Sequence, residues 1–292
     1  MLHLFRRWFA NEVNFTLTNR IPRVMLTRFM GWFASIESPS LTKFSIAIWK
    51  LFADLDLSEA KRGEFRTLRD CFIRELRDGL RPIDKRAEVW TSPCDAIVGA
   101  FGQVQAQTLF QTKGMAYRLE DLLGDSELAM QLEGANYVTL RLLSSMYHRF
   151  HAPADAVLRE VVYHSGDVWN VNPVALAKVP SLFCRNERAV LRFDAGNSAV
   201  PLVLVPVAAV LVASMRIHAI DQQLNLNYRG PHRFERAEPC KKGEELGWFE
   251  HGSTIILFAP GNCSFITTME VGSRVQMGQA LICHPFDANL SS

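Results

Sequence analysis

The segment His251-Gly252-Ser253-Thr254, running into the apolar stretch Ile255–Phe258, contains a bond able to undergo self-cleavage. The Ser253 hydroxyl can attack the Gly252 carbonyl in an N→O acyl shift, and β-elimination can then break the resulting ester. Glycine on the acyl side presents no side chain against that attack or against the strained backbone it needs. The shift requires a base for the hydroxyl and a group that orients the base, the logic of Ser-His-Asp acyl transfer. No GxSxG elbow surrounds Ser253, which disfavours an ordinary serine hydrolase. Candidate bases lie in Tyr147-His148-Arg149-Phe150-His151-Ala152-Pro153, where two histidines stand three residues apart. As a metal-binding HxxH pair they would need a third ligand and a longer helical context. Two ordinary loop histidines are the plainer alternative. The candidate orienting acid is Asp95, closing the turn Ser92-Pro93-Cys94-Asp95 just before a predicted strand. On residues alone, each of these three segments also reads as a plain turn or loop.

The elements that must position these groups fall into two textures, giving an α+β fold with a helical N-terminal region on a mainly β body. Over residues 1–82 the apolar spacing is helical. Pro22 suits a first helical position, and Met25, Leu26, Phe29, Met30 and Phe33 share one face. Ser38-Pro39 starts a second helix carrying Leu41, Phe44, Ile48, Leu51 and Phe52, and Ser58 is placed to cap a third through Leu68, Phe72 and Leu76. Across residues 83–292 short β-branched runs alternate with Gly, Pro, Asn and Asp. Strands are predicted at Ile97–Val104, Tyr137–Leu142, Val157–Tyr163, Ala189–Phe193, Leu202–Val212 and Thr254–Phe258, with short helices at Leu119–Leu123 and Val174–Ala177. Between Asp194 and Arg216 lie 21 uncharged residues, long enough to cross a membrane. Gly196, Asn197, Ser198, Pro201 and Pro206 break that run, and the Val-rich remainder reads as a buried strand.

Composition narrows the function classes. At 292 residues, 48% hydrophobic and 21% charged, the chain is globular rather than disordered, and a net charge of +2 gives no reason to expect a nucleic-acid partner. The average hides an asymmetry. Residues 1–50 carry seven Arg or Lys against Glu12 and Glu37, a net +5, together with three of the six tryptophans, Trp8, Trp32 and Trp49. Basic and aromatic together suit a lipid surface, or equally a solvated helical face. The six scattered cysteines, with no CxxC pair, fit free thiols in a reducing compartment. Arg6, Arg7 and Glu12 interrupt any secretory h-region, although an Arg-rich start shares features with a mitochondrial transit peptide.

In order and spacing, a set of blocks resembles the bacterial-type phosphatidylserine decarboxylases, a pyruvoyl-dependent family. The blocks are Arg77-Asp78-Gly79-Leu80-Arg81-Pro82-Ile83, Ser92-Pro93-Cys94-Asp95, Tyr147-His148-Arg149-Phe150-His151-Ala152-Pro153, Phe183-Cys184-Arg185-Asn186-Glu187-Arg188 and Gly252-Ser253-Thr254. The resemblance runs from Trp32-Phe33-Ala34-Ser35 to Phe258-Ala259-Pro260-Gly261. It implies cleavage between Gly252 and Ser253, giving a β-chain of residues 1–252 and an α-chain of residues 253–292. Asp95, His151 and Ser253 match the processing triad, and His148 matches the histidine of the decarboxylation step. The resemblance makes Ser253 the source of the cofactor, a pyruvoyl group that forms a Schiff base with the substrate amine; it implies no metal. Two residues depart from the family pattern: His251 replaces an apolar residue before the scissile bond, and Ala96 follows Asp95 in place of glycine.

The implied partner is phosphatidylserine in an anionic membrane, reached by a peripheral protein at the cytoplasmic face of a bacterial cell membrane through the basic, aromatic N-terminal region. Association of the α-chain with the β-chain, and a homodimer of processed protomers, are further implications. Rival readings are a pyruvoyl-dependent decarboxylase of a soluble amino acid and an unprocessed, inactive lipid-binding homologue. A barrel-sandwich carrier module around Gly272, Val275, Gly278 and Leu281 is disfavoured, because no Met-Lys-Met-type lysine is present there.

Overall fold

A computed structural model describes residues 12, 15, 16, 19, 22–112, 115–196, 198–211, 214–250 and 253–284. The chain is α+β and mostly sheet. Helix α1 (Arg23–Ala34) follows Pro22, and α2 (Pro39–Phe52) starts where the Ser38 hydroxyl accepts from the Leu41 N–H with Pro39 in the first turn. The third helix is far shorter than the pattern predicts: α3 covers only Leu68–Phe72, closed by a Thr67–Asp70 capping box. Ser58 caps nothing, because its N–H and hydroxyl both donate to the Asp56 carboxylate in a local turn. An antiparallel bridge between Ala60 and Leu76 pairs the two flanks of α3, so neither flank continues the helix.

Eight strands form the central sheet: β1 (Ala96–Gln103), β2 (Asn136–Leu142), β3 (Ala156–His164), β4 (Arg188–Asp194), β5 (Leu202–Ala208), β6 (Arg233–Cys240), β7 (Ser253–Ala259) and β8 (Arg274–Val275). Their order is β6-β3-β4-β5-β7-β2-β1-β8, with every neighbouring pair antiparallel. The uncharged run before Arg216 supplies β5, buried at every position, and among the described residues no helix is long and apolar enough to cross a membrane. Pro206 has no N–H to give; it falls where the β4 ladder skips from Arg188↔Val207 to Leu191↔Leu204.

Both faces of the sheet are covered around β7, which is buried at every position, so its alternation only sorts residues between two cores. Ile255 and Leu257 join a core with Phe150 and Phe249, contributed by a second sheet of Arg149–His151, Ser214–Ile217, Gln222–Asn225 and Glu245–Phe249. Ile256 and Phe258 face a core with Leu119, Leu122 and Phe183 from the short helices.

Helices α1 and α2 bind the body by few contacts. Thr27 is buried and accepts from the Leu211 N–H at 2.9 Å, while Arg23 pairs with Asp167 at 2.6 Å and lies over the Trp169 ring. Trp49 of α2 packs on Phe72 of α3. The apolar faces read in the sequence stay largely uncovered: Trp32 is 63% and Phe52 85% exposed, with Met25, Phe29, Phe44 and Leu51 also open.

Candidate active site

Ser253 opens β7, between Leu142 of β2 and Ala208 of β5. It is fully buried, and its Oγ has no hydrogen-bond partner among the described residues. A hydroxyl taken from water without compensation costs about 1–3 kcal/mol, so the sheet holds this oxygen at an energetic disadvantage. Its predicted partners across the scissile bond, His251 and Gly252, lie outside the described residues.

Asp95 is buried where the Ser92–Asp95 turn feeds β1. The turn is fastened to the histidine segment through the backbone: the His151 N–H donates to the Pro93 carbonyl, and the Thr91 N–H to that of Pro153. The Asp95 carboxylate does not hydrogen-bond His151. It accepts from Arg81 Nε and Nη2 at 2.9 and 2.6 Å and from the Met277 N–H at 2.9 Å. Arg81 also holds Glu59 at 2.7 Å. Burial opposes the charge on Arg81, and the two carboxylates more than restore it, so the guanidinium is permanent.

His151 is held at both nitrogens. Nδ1 lies 2.9 Å from the Gly243 carbonyl, and Nε2 lies 3.0 Å from the Tyr147 hydroxyl. A carbonyl only accepts, so Nδ1 carries the proton and Nε2 is the basic lone pair. Gly243 reaches this position with φ +83, and a Cβ there would meet Ile83 at 2.8 Å. Burial lowers the His151 pKa, against the opposing pull of the Gly243 carbonyl and of Glu245. Burial also raises the Tyr147 phenol, which stays protonated and donates to Nε2. The imidazole is therefore neutral at pH 7, the form a base requires. With His151 as that base, self-cleavage in freshly translated chain is expected to hold its rate as pH falls from 8 through about 6.5, the ordinary histidine value. A rate halving near that value would count against it.

His148 is fully buried, edge-on to Phe72 with ring centroids 6.4 Å apart, and its carbonyl accepts from the Phe249 N–H. The structure thus places Asp95 and His151 in adjoining backbone-paired segments and Ser253 at the end of the neighbouring sheet. Among the described residues, no hydrogen bond joins the three side chains. Arg81, Tyr147 and Gly243 are the groups sequence reasoning assigned no role. All six cysteines are unbridged.

A family model for phosphatidylserine decarboxylase matches residues 68–283. The chain is 38% identical over 274 residues to the phosphatidylserine decarboxylase proenzyme of Vibrio parahaemolyticus, covering 88% of this chain and 94% of that one. It is 37% identical over 270 residues to the proenzyme of the same name from Vibrio cholerae, covering 89% and 94%. With the corresponding proenzyme of Salmonella agona it shares 33% identity over 283 residues, covering 93% and 87%. A match of this extent, over both the site segments and the central sheet, means that the chain belongs to the phosphatidylserine decarboxylase family.

Proposed function

We propose that this chain is a proenzyme that cuts itself between Gly252 and Ser253 and then decarboxylates phosphatidylserine to phosphatidylethanolamine, a step of phospholipid biosynthesis. The observation that carries the reading is Ser253 itself: a buried hydroxyl without a hydrogen bond among the described residues, on the first residue of an interior strand. In maturation His151 takes the Ser253 proton, and Asp95 and Arg81 hold the turn to which the His151 backbone is tied. The Oγ–acyl bond forms as the Gly252–Ser253 amide breaks, and the resulting ester is broken by β-elimination.

The residues fit a pyruvoyl group at position 253, since the site is buried and Leu142 and Ala208 fix the strand that would carry it. That group supplies an electrophilic carbonyl and an electron sink for loss of CO2. His148, buried beside Phe72, returns a proton to the product carbon. The processed chains stay together, pair as a homodimer of protomers and work at the cytoplasmic face of a bacterial membrane.

Intact-mass analysis tests the maturation. A 40-residue fragment, residues 253–292, blocked by pyruvoyl supports it, and a fragment starting with a free serine amine overturns it. Release of CO2 from phosphatidylserine vesicles, with none from free serine, separates the lipid substrate from a soluble amino acid.

The exposed faces of α1 and α2 support membrane docking. Met25, Phe29 and Trp32, and Phe44, Ile48 and Phe52, recur at helical spacing on open surface. Trp32→Glu with Phe52→Glu should weaken pelleting with anionic vesicles by about 10²- to 10⁴-fold, from two large apolar side chains at about 1.5–3 kcal/mol each. Unchanged pelleting would place the docking surface elsewhere.

A further inference from the structure

Only His251 and Gly252 separate Glu250 from Ser253, so the two residues are joined by at most about 11 Å of chain. Ser253 is held on one side of that link, in ladders with Leu142 and Ala208. Glu250 is held on the other. Its N–H donates to the Ser214 carbonyl at 3.1 Å, continuing the antiparallel pairing of Phe249 with Met215. Its Oε1 accepts from Gln223 Nε2 at 2.8 Å and from the Arg69 guanidinium of α3. Gln223 Nε2 donates in turn to the Ser214 hydroxyl at 2.6 Å. The Glu250 side chain is only 13% exposed. Burial raises its pKa, and Arg69 and the Ser214 hydroxyl oppose that rise. Arg69 is itself carried on a fixed element, since Phe72 of the same helix packs on Trp49.

A partly buried ion pair adds little stability beyond what apolar packing would give, and its best-attested use is to select one arrangement among several. The chemistry says which arrangement needs selecting. Ser253 Oγ and the Gly252 carbonyl carbon belong to adjacent residues, so the acyl shift depends on the orientation of that carbonyl more than on approach. Glycine leaves the attack sterically open, but it also gives the acyl side the widest backbone freedom of any residue. The central sheet restrains the serine side alone. Among the described residues Glu250 is the nearest on the acyl side, and a carbonyl, an amide and a guanidinium from distant parts of the chain converge on it. We propose that Glu250, clamped by Arg69 and Gln223, is a positioning residue for self-cleavage that limits the orientations open to the Gly252 carbonyl. This rests on the functional reading above, and its test separates the two.

The test follows the full chain from translation by intact mass. Glu250→Ala should slow appearance of the 40-residue fragment about 30-fold, inside the roughly 10²-fold that a 1 Å misplacement can cost. Glu250→Gln, whose amide oxygen still accepts from Arg69 and Gln223, should recover most of the rate. Should Glu250→Gln cut as slowly as Glu250→Ala while both melt below wild type, the residue is structural and the proposal falls. Hydroxylamine locates the step, because it attacks the Gly252 acyl carbon of the ester, leaving a Gly252 hydroxamate and a fragment with a free serine amine. With hydroxylamine present Glu250→Ala should stay slow, since the clamp acts before the ester forms. Release at the wild-type rate would place Glu250 in the elimination and overturn the proposal. Arg69→Met should also slow cleavage, and adding it to Glu250→Ala should slow it no further. Effects that multiply would mean that Arg69 acts elsewhere, which overturns the clamp. A wild-type chain that yields no fragment fails the functional reading and this proposal with it. A wild-type chain that cuts, with Glu250→Ala within about twofold of its rate, fails this proposal alone.

Discussion

Ser253→Ala is expected to leave a single 292-residue chain, with release of CO2 from phosphatidylserine vesicles down on the order of 10⁶-fold, the scale on which removing a nucleophile acts. Alanine keeps the strand and its neighbours but has no oxygen to attack the Gly252 carbonyl. The same change should stabilise the fold. The Oγ it deletes is fully buried and unbonded among the described residues, a penalty of about 1–3 kcal/mol in the parent. Loss of activity with a raised melting temperature is the signature of a group kept for chemistry at the expense of stability. A 40-residue fragment from the alanine variant would place the cut elsewhere, and a lowered melting temperature would mean that the hydroxyl has a structural partner.

Arg81→Met should cost about 3–5 kcal/mol, because it strips a buried carboxylate of its counter-charge. Asp95 would keep only the Met277 N–H, and Glu59 would lose its guanidinium partner as well. Processing should slow about 100-fold, the scale of a disturbed acid–base arrangement, as the Ser92–Asp95 turn loosens its hold on the His151 backbone. Adding Asp95→Asn removes the unpaired charge, so the double variant should regain most of the urea midpoint while processing stays slow. An unchanged midpoint in Arg81→Met would show that the pair contributes nothing to the fold.

The fold was legible where burial imposes a period. The predicted strands Tyr137–Leu142, Ala189–Phe193 and Thr254–Phe258 each lie within an observed strand, because β-branched runs between turn residues leave little alternative. Leu202–Val212 ran past its strand end, and Ser58 misled because its hydroxyl had a closer acceptor in Asp56 than any helix N–H. Of the site, the groups with reactive side chains in compact blocks were visible. Their supports were not: with 32 Lys or Arg and 30 Asp or Glu in the chain, no spacing rule joins Arg81 to Asp95 and Glu59. Gly243, 92 residues from His151, meets it only in the folded chain. The direct Asp95–His151 contact of Ser-His-Asp logic is replaced here by backbone pairing, which no side-chain motif encodes.

The place of β7 inside the sheet bears on how long the protein lasts. Seven residue pairs tie it to β2 and six to β5, so the proposed cut before Ser253 would release no strand and would leave the fragment seated. What the cut changes is the way back from an unfolded state. Before it, the strand returns within one molecule; after it, two separate polypeptides must meet at cellular dilution, and the lost effective concentration has no substitute. If the chain is cut there, survival of the processed protein would be governed by its rate of unfolding rather than by an equilibrium, each copy having one folding event to use.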